Sequence, residues 1–122
     1  MRSRFEVELK KKMKNCLYEP FKVPYTYEAE YIPDFVPKDN KNLLIEAKGR
    51  FRTRQEAKKY IAVRDSHPEM KIVFVFYNPN VPMPGARRRK GDGKKQSHAD
   101  WAELNGFEWY TIGTLPDEWR KK

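Results

Sequence analysis

The 122-residue sequence predicts an α/β fold, a mixed central β-sheet flanked by helices. Three observations carry this. Lys71-Ile72-Val73-Phe74-Val75-Phe76-Tyr77 is a strand apolar on both faces, as expected at the centre of a covered sheet. Strand 43–47, helix 53–66 and strand 71–77 make a right-handed parallel crossover. Ile32-Pro33-Asp34-Phe35-Val36 and Leu44-Ile45-Glu46-Ala47-Lys48-Gly49 flank a turn-forming stretch, Pro37-Lys38-Asp39-Asn40-Lys41-Asn42, and pair as an antiparallel hairpin.

In chain order, Phe5, Leu9, Met13, Cys16 and Leu17 form one apolar stripe on a first helix, with Lys10, Lys11, Lys12 and Lys14 on its other faces. Those lysines fit a solvated face or contact with backbone phosphates. Thr53-Arg54-Gln55-Glu56 opens a second helix by the capping-box pattern, and His67-Pro68 stops it after about Ser66. Ser97 can cap a third helix that runs through Asn105 and ends at Gly106, after which Phe107-Glu108-Trp109-Tyr110-Thr111 is another strand. Trp101, Trp109 and Trp119 each lie in or beside a regular element and read as packing anchors instead of base-stacking platforms. Neither His67 nor His98 has a metal-ligand partner at helical spacing, so both read as structural or DNA-adjacent.

The hairpin brings chemistry together. With its register centred on Asn40, residues whose numbers sum to eighty lie opposite each other, so Asp34 faces Glu46 across the ladder. Two opposed carboxylates repel unless a proton or cation is shared between them, and a hard divalent ion answers that need. Glu46 and Lys48 are two apart on one strand and share that face, while Ile45 and Ala47 turn towards a core. Carboxylates suit magnesium, which keeps several waters, and a lysine ammonium can orient an attacking water or neutralise charge on a phosphate. Asp-(x)n-Glu-x-Lys is nonetheless a short pattern, and Lys48 pairing with Glu46 or Asp34 as a structural ion pair is the competing reading.

One cysteine, Cys16, excludes an internal disulfide, and on the first helix it reads as a small buried apolar residue. No apolar run approaches the length of a membrane span, and Met1-Arg2-Ser3-Arg4 leads into a charged helix instead of an apolar signal core. A soluble cytoplasmic protein of one domain, residues 1–122, is expected, with no repeat or linker and no glycine-rich phosphate loop, thiolate zinc set or nucleophile elbow.

The net charge is +9, and Arg87, Arg88, Arg89, Lys90, Lys94 and Lys95 against the single acid Asp92 account for more than half of it. This run sits between glycines after a Pro-rich approach and lacks helical or strand periodicity, so residues 79–96 read as a basic flexible loop. Such runs are usually solvated, but DNA contact is the obvious use beside a phosphodiesterase site. An adaptable loop favours backbone over base contact.

Arg2-Ser3-Arg4-Phe5-Glu6, Lys22-Val23-Pro24-Tyr25, Ile32-Pro33-Asp34-Phe35, Ile45-Glu46-Ala47-Lys48-Gly49, His67-Pro68-Glu69, Ile72-Val73-Phe74 and Leu115-Pro116-Asp117-Glu118-Trp119 occur in an order that resembles bacteriophage endonuclease I. This is the junction-resolving nuclease family of T-odd phages within the PD-(D/E)XK superfamily. The resemblance spans nearly the whole chain and implies a PD-(D/E)XK nuclease-like core. It implies that Asp34 and Glu46 ligate metal, that Lys48 is catalytic, and that Glu6 completes the site from the first helix. Glu6 has a second explanation, because Ser3-Arg4-Phe5-Glu6 also fits a helix capping box.

The function expected is metal-dependent endonucleolytic hydrolysis of DNA with Mg2+, for which Mn2+ substitutes; the resemblance implies cleavage that leaves a 5′-phosphate. The resemblance implies a homodimer with exchanged segments that cleaves four-way (Holliday) junctions, Glu6 of one chain completing its partner's site. The sequence departs from the family in two places: its basic loop is longer and more basic, and the connector from Pro24 to Tyr31 is shorter than the exchanged bridge. A monomeric nicking endonuclease acting on duplex DNA is therefore the alternative.

Overall fold

The computed structural model describes residues 4–26 and 29–120. Eleven elements follow in order: α1 (Arg4–Lys12), β1 (Cys16–Tyr18), β2 (Val23–Thr26), β3 (Ala29–Tyr31), β4 (Phe35–Pro37), β5 (Leu43–Lys48), α2 (Arg54–Ser66), β6 (Lys71–Phe76), α3 (His98–Leu104), β7 (Glu108–Tyr110) and α4 (Asp117–Arg120). The main sheet has the order β1-β4-β5-β6-β7, and β2 and β3 form a separate two-stranded sheet. Pairings β1–β4 and β4–β5 are antiparallel while β5–β6 and β6–β7 are parallel, so the sheet is mixed as expected.

Alternation along β5 and β6 separates two cores, because successive side chains of a strand point to opposite faces. Leu44, Ile72, Phe74 and Phe76 pack with Ala57, Tyr60 and Val63 of α2 and Trp101 and Ala102 of α3. Ile45, Ala47, Val73 and Val75 pack on the other side with Phe5, Leu9 and Met13 from the α1 end of the chain and Trp119 of α4. Both faces are thus covered, including the face that carries Glu46.

The expected hairpin register is present: Phe35 pairs with Ile45, a sum of eighty. Its first strand is shorter than expected, however, since β4 begins at Phe35 and residues 32–34 are irregular. The chain there changes sheets, leaving Tyr31 in the small hairpin and Phe35 in the main one.

The apolar stripe assigned to the first helix is also divided. α1 stops at Lys12, and Cys16 and Leu17 lie instead on β1, paired with Pro37 and Val36. An edge strand satisfies its backbone groups against β4 while half-burying the same side chains, so ladder pairing overrides the helical spacing. Cys16 is half-buried, and burial pushes its thiol up to about 11.

Thr53 caps α2 by accepting from the Glu56 amide, but the return bond of a capping box is absent: Glu56 Oε1 accepts from the Arg52 amide instead. Ser97 and Asp100 do form the reciprocal box at α3, and Gly106 past its end has φ +77°. Trp101 and Trp119 are buried as packing anchors. The capping role of Ser3 for Glu6 lies outside the described residues.

Candidate active site

Three elements bring the site together. β5 carries Glu46 and Lys48, the irregular step before β4 carries Asp34, and α1 carries Glu6. Asp34 lies one residue before the Phe35–Ile45 pair, outside the ladder but close enough to Glu46 to feel its charge. Asp34 Oδ2 accepts a 2.9 Å bond from the Ala47 amide, which fixes the carboxylate against β5. Burial, then the charge of Glu46, push its pKa from 3.8 up to about 8, against the lowering effect of that amide.

Glu46 is 6% exposed and sits among aromatic rings. Tyr31 Oη donates to its Oε2 at 2.5 Å and Tyr60 Oη donates to its Oε1 at 2.9 Å. Burial raises the Glu46 pKa, and the Tyr31 hydroxyl, Lys48 and Tyr60 oppose the rise. Each carboxylate oxygen has two acceptor directions, so one tyrosine on each leaves the other direction available.

Lys48 does not pair with Glu46 or Asp34. Its Nζ lies 3.6 Å from Glu56 Oε1 in the first turn of α2, and 5.5 to 5.6 Å from the ring centroids of Tyr60 and Phe51. The ammonium is held on a carboxylate and two rings while its charge still favours ionisation of Asp34 and Glu46. Phe51 is held in turn: its amide donates to His98 Nε2, and the buried His98 donates from Nδ1 to the Val81 carbonyl, which assigns its neutral tautomer. His98 is therefore structural, and its burial lowers its pKa.

Beside Lys48 opens a cleft of about 890 Å³, lined in part by Glu6, Lys48, Arg4, Arg50, Arg52 and Tyr77; Asp34 and Glu46 are not in its lining. It lies at the carboxyl ends of the parallel strands β5 and β6, the usual ligand position in an open α/β sheet. Glu6 reaches the cleft from the same chain that supplies Lys48, its charge raises the pKa of Asp34, and its Oε2 accepts from Tyr18 Oη at 3.2 Å. Among the described residues no group of three His, Cys, Asp or Glu side chains is close enough to hold a metal ion, so Glu6 does not form a three-ligand set with Asp34 and Glu46.

The six loop cations are not part of this cleft. Arg88, Arg89, Lys94 and Lys95 line a separate depression of about 700 Å³, and all six are exposed. Arg89 is committed locally, with Nη2 2.8 Å from Asp92 and Nη1 3.6 Å from Asp100 of α3. Backbone bonds from Arg89 to Lys94 and from Gly93 to Arg89 close the loop tip into a turn.

Tyr31, Tyr60, Glu56, Arg50, Arg52 and Tyr77 had no signal in the sequence as site residues. Glu56 reads there as a cap, and the tyrosines converge on Glu46 only through tertiary packing of β3 and α2.

Fold and site together define an α/β protein in which two neighbouring carboxylates, Asp34 and Glu46, lie beside a lysine-bearing cleft at the end of the parallel strands. The chain belongs to the phage endonuclease I family, whose sequence profile matches residues 1–122. It is 30% identical over 108 residues to Endonuclease I of Escherichia phage T7, covering 86% of this chain and 65% of that protein. It is 29% identical over 93 residues to Endodeoxyribonuclease 1 of Enterobacteria phage T3, covering 74% of this chain and 55% of that protein. The chain thus spans between half and two thirds of the length of these relatives. No described helix is long and apolar enough to cross a membrane.

Proposed function

We propose that the chain is a metal-dependent DNA endonuclease that hydrolyses phosphodiesters in the cleft beside β5. The observation that carries this reading is the buried Asp34–Glu46 juxtaposition beside Lys48, in a family whose relatives are named as endonucleases. A buried Glu46 beside a half-buried Asp34 whose pKa it raises fits an oxygen-liganded cation, and magnesium commonly takes only one or two carboxylates and completes its shell with water. Asp34 and Glu46 would hold Mg2+, or Mn2+ in its place. The bound ion supplies an activated water and Lewis-acid stabilisation of the phosphate.

The chain's own residues do the rest. Tyr31 and Tyr60 hold the Glu46 carboxylate in one orientation. Lys48, steadied by Glu56, presents a positive charge to the attacking water or the phosphate oxygens. Glu6, at the α1 side, serves a second cation or a water in the cleft. Arg4, Arg50 and Arg52 take flanking phosphates, and Arg87, Arg88, Arg89, Lys90, Lys94 and Lys95 extend the contact to a more distant part of the backbone. Pro33-Asp34 and Glu46-Ala47-Lys48 on a hairpin followed by α2 and β6 support a PD-(D/E)XK core.

The motif resemblance supports, as the first reading, branched DNA including four-way junctions as substrate, cut by a homodimer. One observation favours the second reading, a monomer that nicks duplex DNA. Glu6 and Lys48 of one chain line one cleft, and β2 pairs with β3 of the same chain, with Tyr31 against Tyr60.

Incubation with supercoiled plasmid and with a synthetic four-way junction, with and without magnesium, tests both readings. Magnesium-dependent cleavage abolished by Glu46→Gln is expected, and junction preference separates resolvase from nicking enzyme. Activity that survives in Glu46→Gln removes the site proposed here.

A further inference from the structure

Tyr77 lines the cleft and has no part in the chemistry above. It is 68% exposed, the one exposed aromatic ring among residues whose side chains are described. Leaving a large ring in water forfeits the stabilisation that burial gives Phe35, Phe74 and Phe76 of the same sheet.

The ring is nevertheless held in place. The Tyr77 amide donates to the Lys48 carbonyl at 3.0 Å, which extends the β5–β6 pairing one residue past Phe76. The ring meets Phe5 of α1 in a T-shaped contact, centroids 5.5 Å apart and planes at 72°. A flat π surface is thus fixed in a cleft whose other lining includes Arg4, Lys48, Arg50 and Arg52 as well as Glu6, Glu8 and Glu56. Cations for phosphates beside an aromatic face for a base are the two halves of single-strand recognition. In an intact duplex the base faces are stacked on each other, so such a ring has a partner only where a base has left the stack.

We infer that Tyr77 is a base-stacking residue that gives this cleft its preference for DNA with an unstacked base beside the scissile phosphate. The inference rests on the nuclease reading and adds to it the residue that would discriminate an unstacked base from regular duplex. The arginines give affinity for any backbone, and the ring adds the discrimination.

The test uses the full-length Glu46→Gln protein, which keeps bound DNA intact, with two probes of one sequence: a four-way junction and a continuous duplex, each with 2-aminopurine at the position that forms the branch point. Quenching of the branch-point fluorophore on binding is expected, with little change in the duplex. Adding Tyr77→Ala or Tyr77→Leu should abolish the quench and weaken junction binding about tenfold, the order of one aromatic stack, with duplex binding unchanged. Tyr77→Phe should behave as the parent, which separates stacking from a folding defect. A quench retained in Tyr77→Leu, or an equal loss of affinity for both probes, overturns the inference. Failure of the wild-type chain to cut either DNA overturns the nuclease reading instead.

Discussion

Tyr60 Oη donates a 2.9 Å hydrogen bond to Glu46 Oε1, joining the middle of α2 to the middle of the central strand at the candidate metal-binding carboxylate. Tyr31, from the small sheet, occupies the other oxygen. Tyr60→Phe keeps the ring in the aromatic cluster and removes only the donor. Binding of Mn2+ to this variant should weaken by 10- to 100-fold, the usual consequence of removing a hydrogen bond behind a metal ligand. Calorimetric titration measures it. Unfolding should cost about 1–3 kcal/mol less than in the parent, because a buried carboxylate is left without one of its donors.

Asp34 should make metal-free protein less stable as pH rises. Its carboxyl titrates at 3.8 when unperturbed and at about 8 in the fold. Between those values the unfolded chain is ionised while the folded chain retains the proton, so the folded state binds more protons and loses stability with increasing pH. Asp34→Asn should remove this contribution. The difference in unfolding free energy from denaturant titration, variant minus parent, should grow from pH 5 to pH 8 and level off above, reaching on the order of a few kcal/mol without magnesium. Saturating Mg2+ should shrink that difference, since only the parent binds it through this carboxylate.

Glu56 steadies Lys48 at 3.6 Å and also accepts from the Arg52 amide. Glu56→Gln retains an acceptor for the amide but removes the charge. The turnover rate on saturating DNA should fall about tenfold through poorer placement of the ammonium, with little change in DNA affinity. Lys48→Ala should lose far more, about a hundredfold or beyond, as removal of a group that stabilises transition-state charge does. Single-turnover rates at several DNA concentrations separate the two effects.

Replacing Arg87, Lys90, Lys94 and Lys95 together by alanine should weaken DNA binding while leaving the cleavage rate at saturation unchanged, because these exposed side chains lie outside the cleft lining. The slope of log affinity against log salt should fall by about 0.9 for each phosphate that is no longer neutralised. Arg89→Ala is a different experiment. That guanidinium bridges Asp92 and Asp100, so its removal should loosen the loop from α3 and raise protease sensitivity between residues 87 and 95.

Much of this protein was legible in the chain because the signals were local. Period-two alternation and the turn at 37–42 define the β4–β5 register, and with it the Asp34–Glu46 juxtaposition, since a hairpin leaves the pairing no other freedom than its turn. Double-sided apolarity marked β6 as an interior strand, and Ser97 and Gly106 marked the ends of α3. The same local reading misassigned Cys16 and Leu17, whose helical spacing was overridden by pairing with β4, and began β4 three residues early.

Nothing local, by contrast, announces that Tyr31 and Tyr60, 29 residues apart, share one carboxylate, or that Lys48 lies against Glu56. Those contacts join separate elements, so they exist only once β3 and α2 are packed on the sheet. Sequence alone determined which acids lie side by side, because one short turn dictates their register. Tertiary packing decided how those acids are buried, what holds them, and which ring is left facing the solvent, because burial is a property of neighbouring layers and not of any single segment.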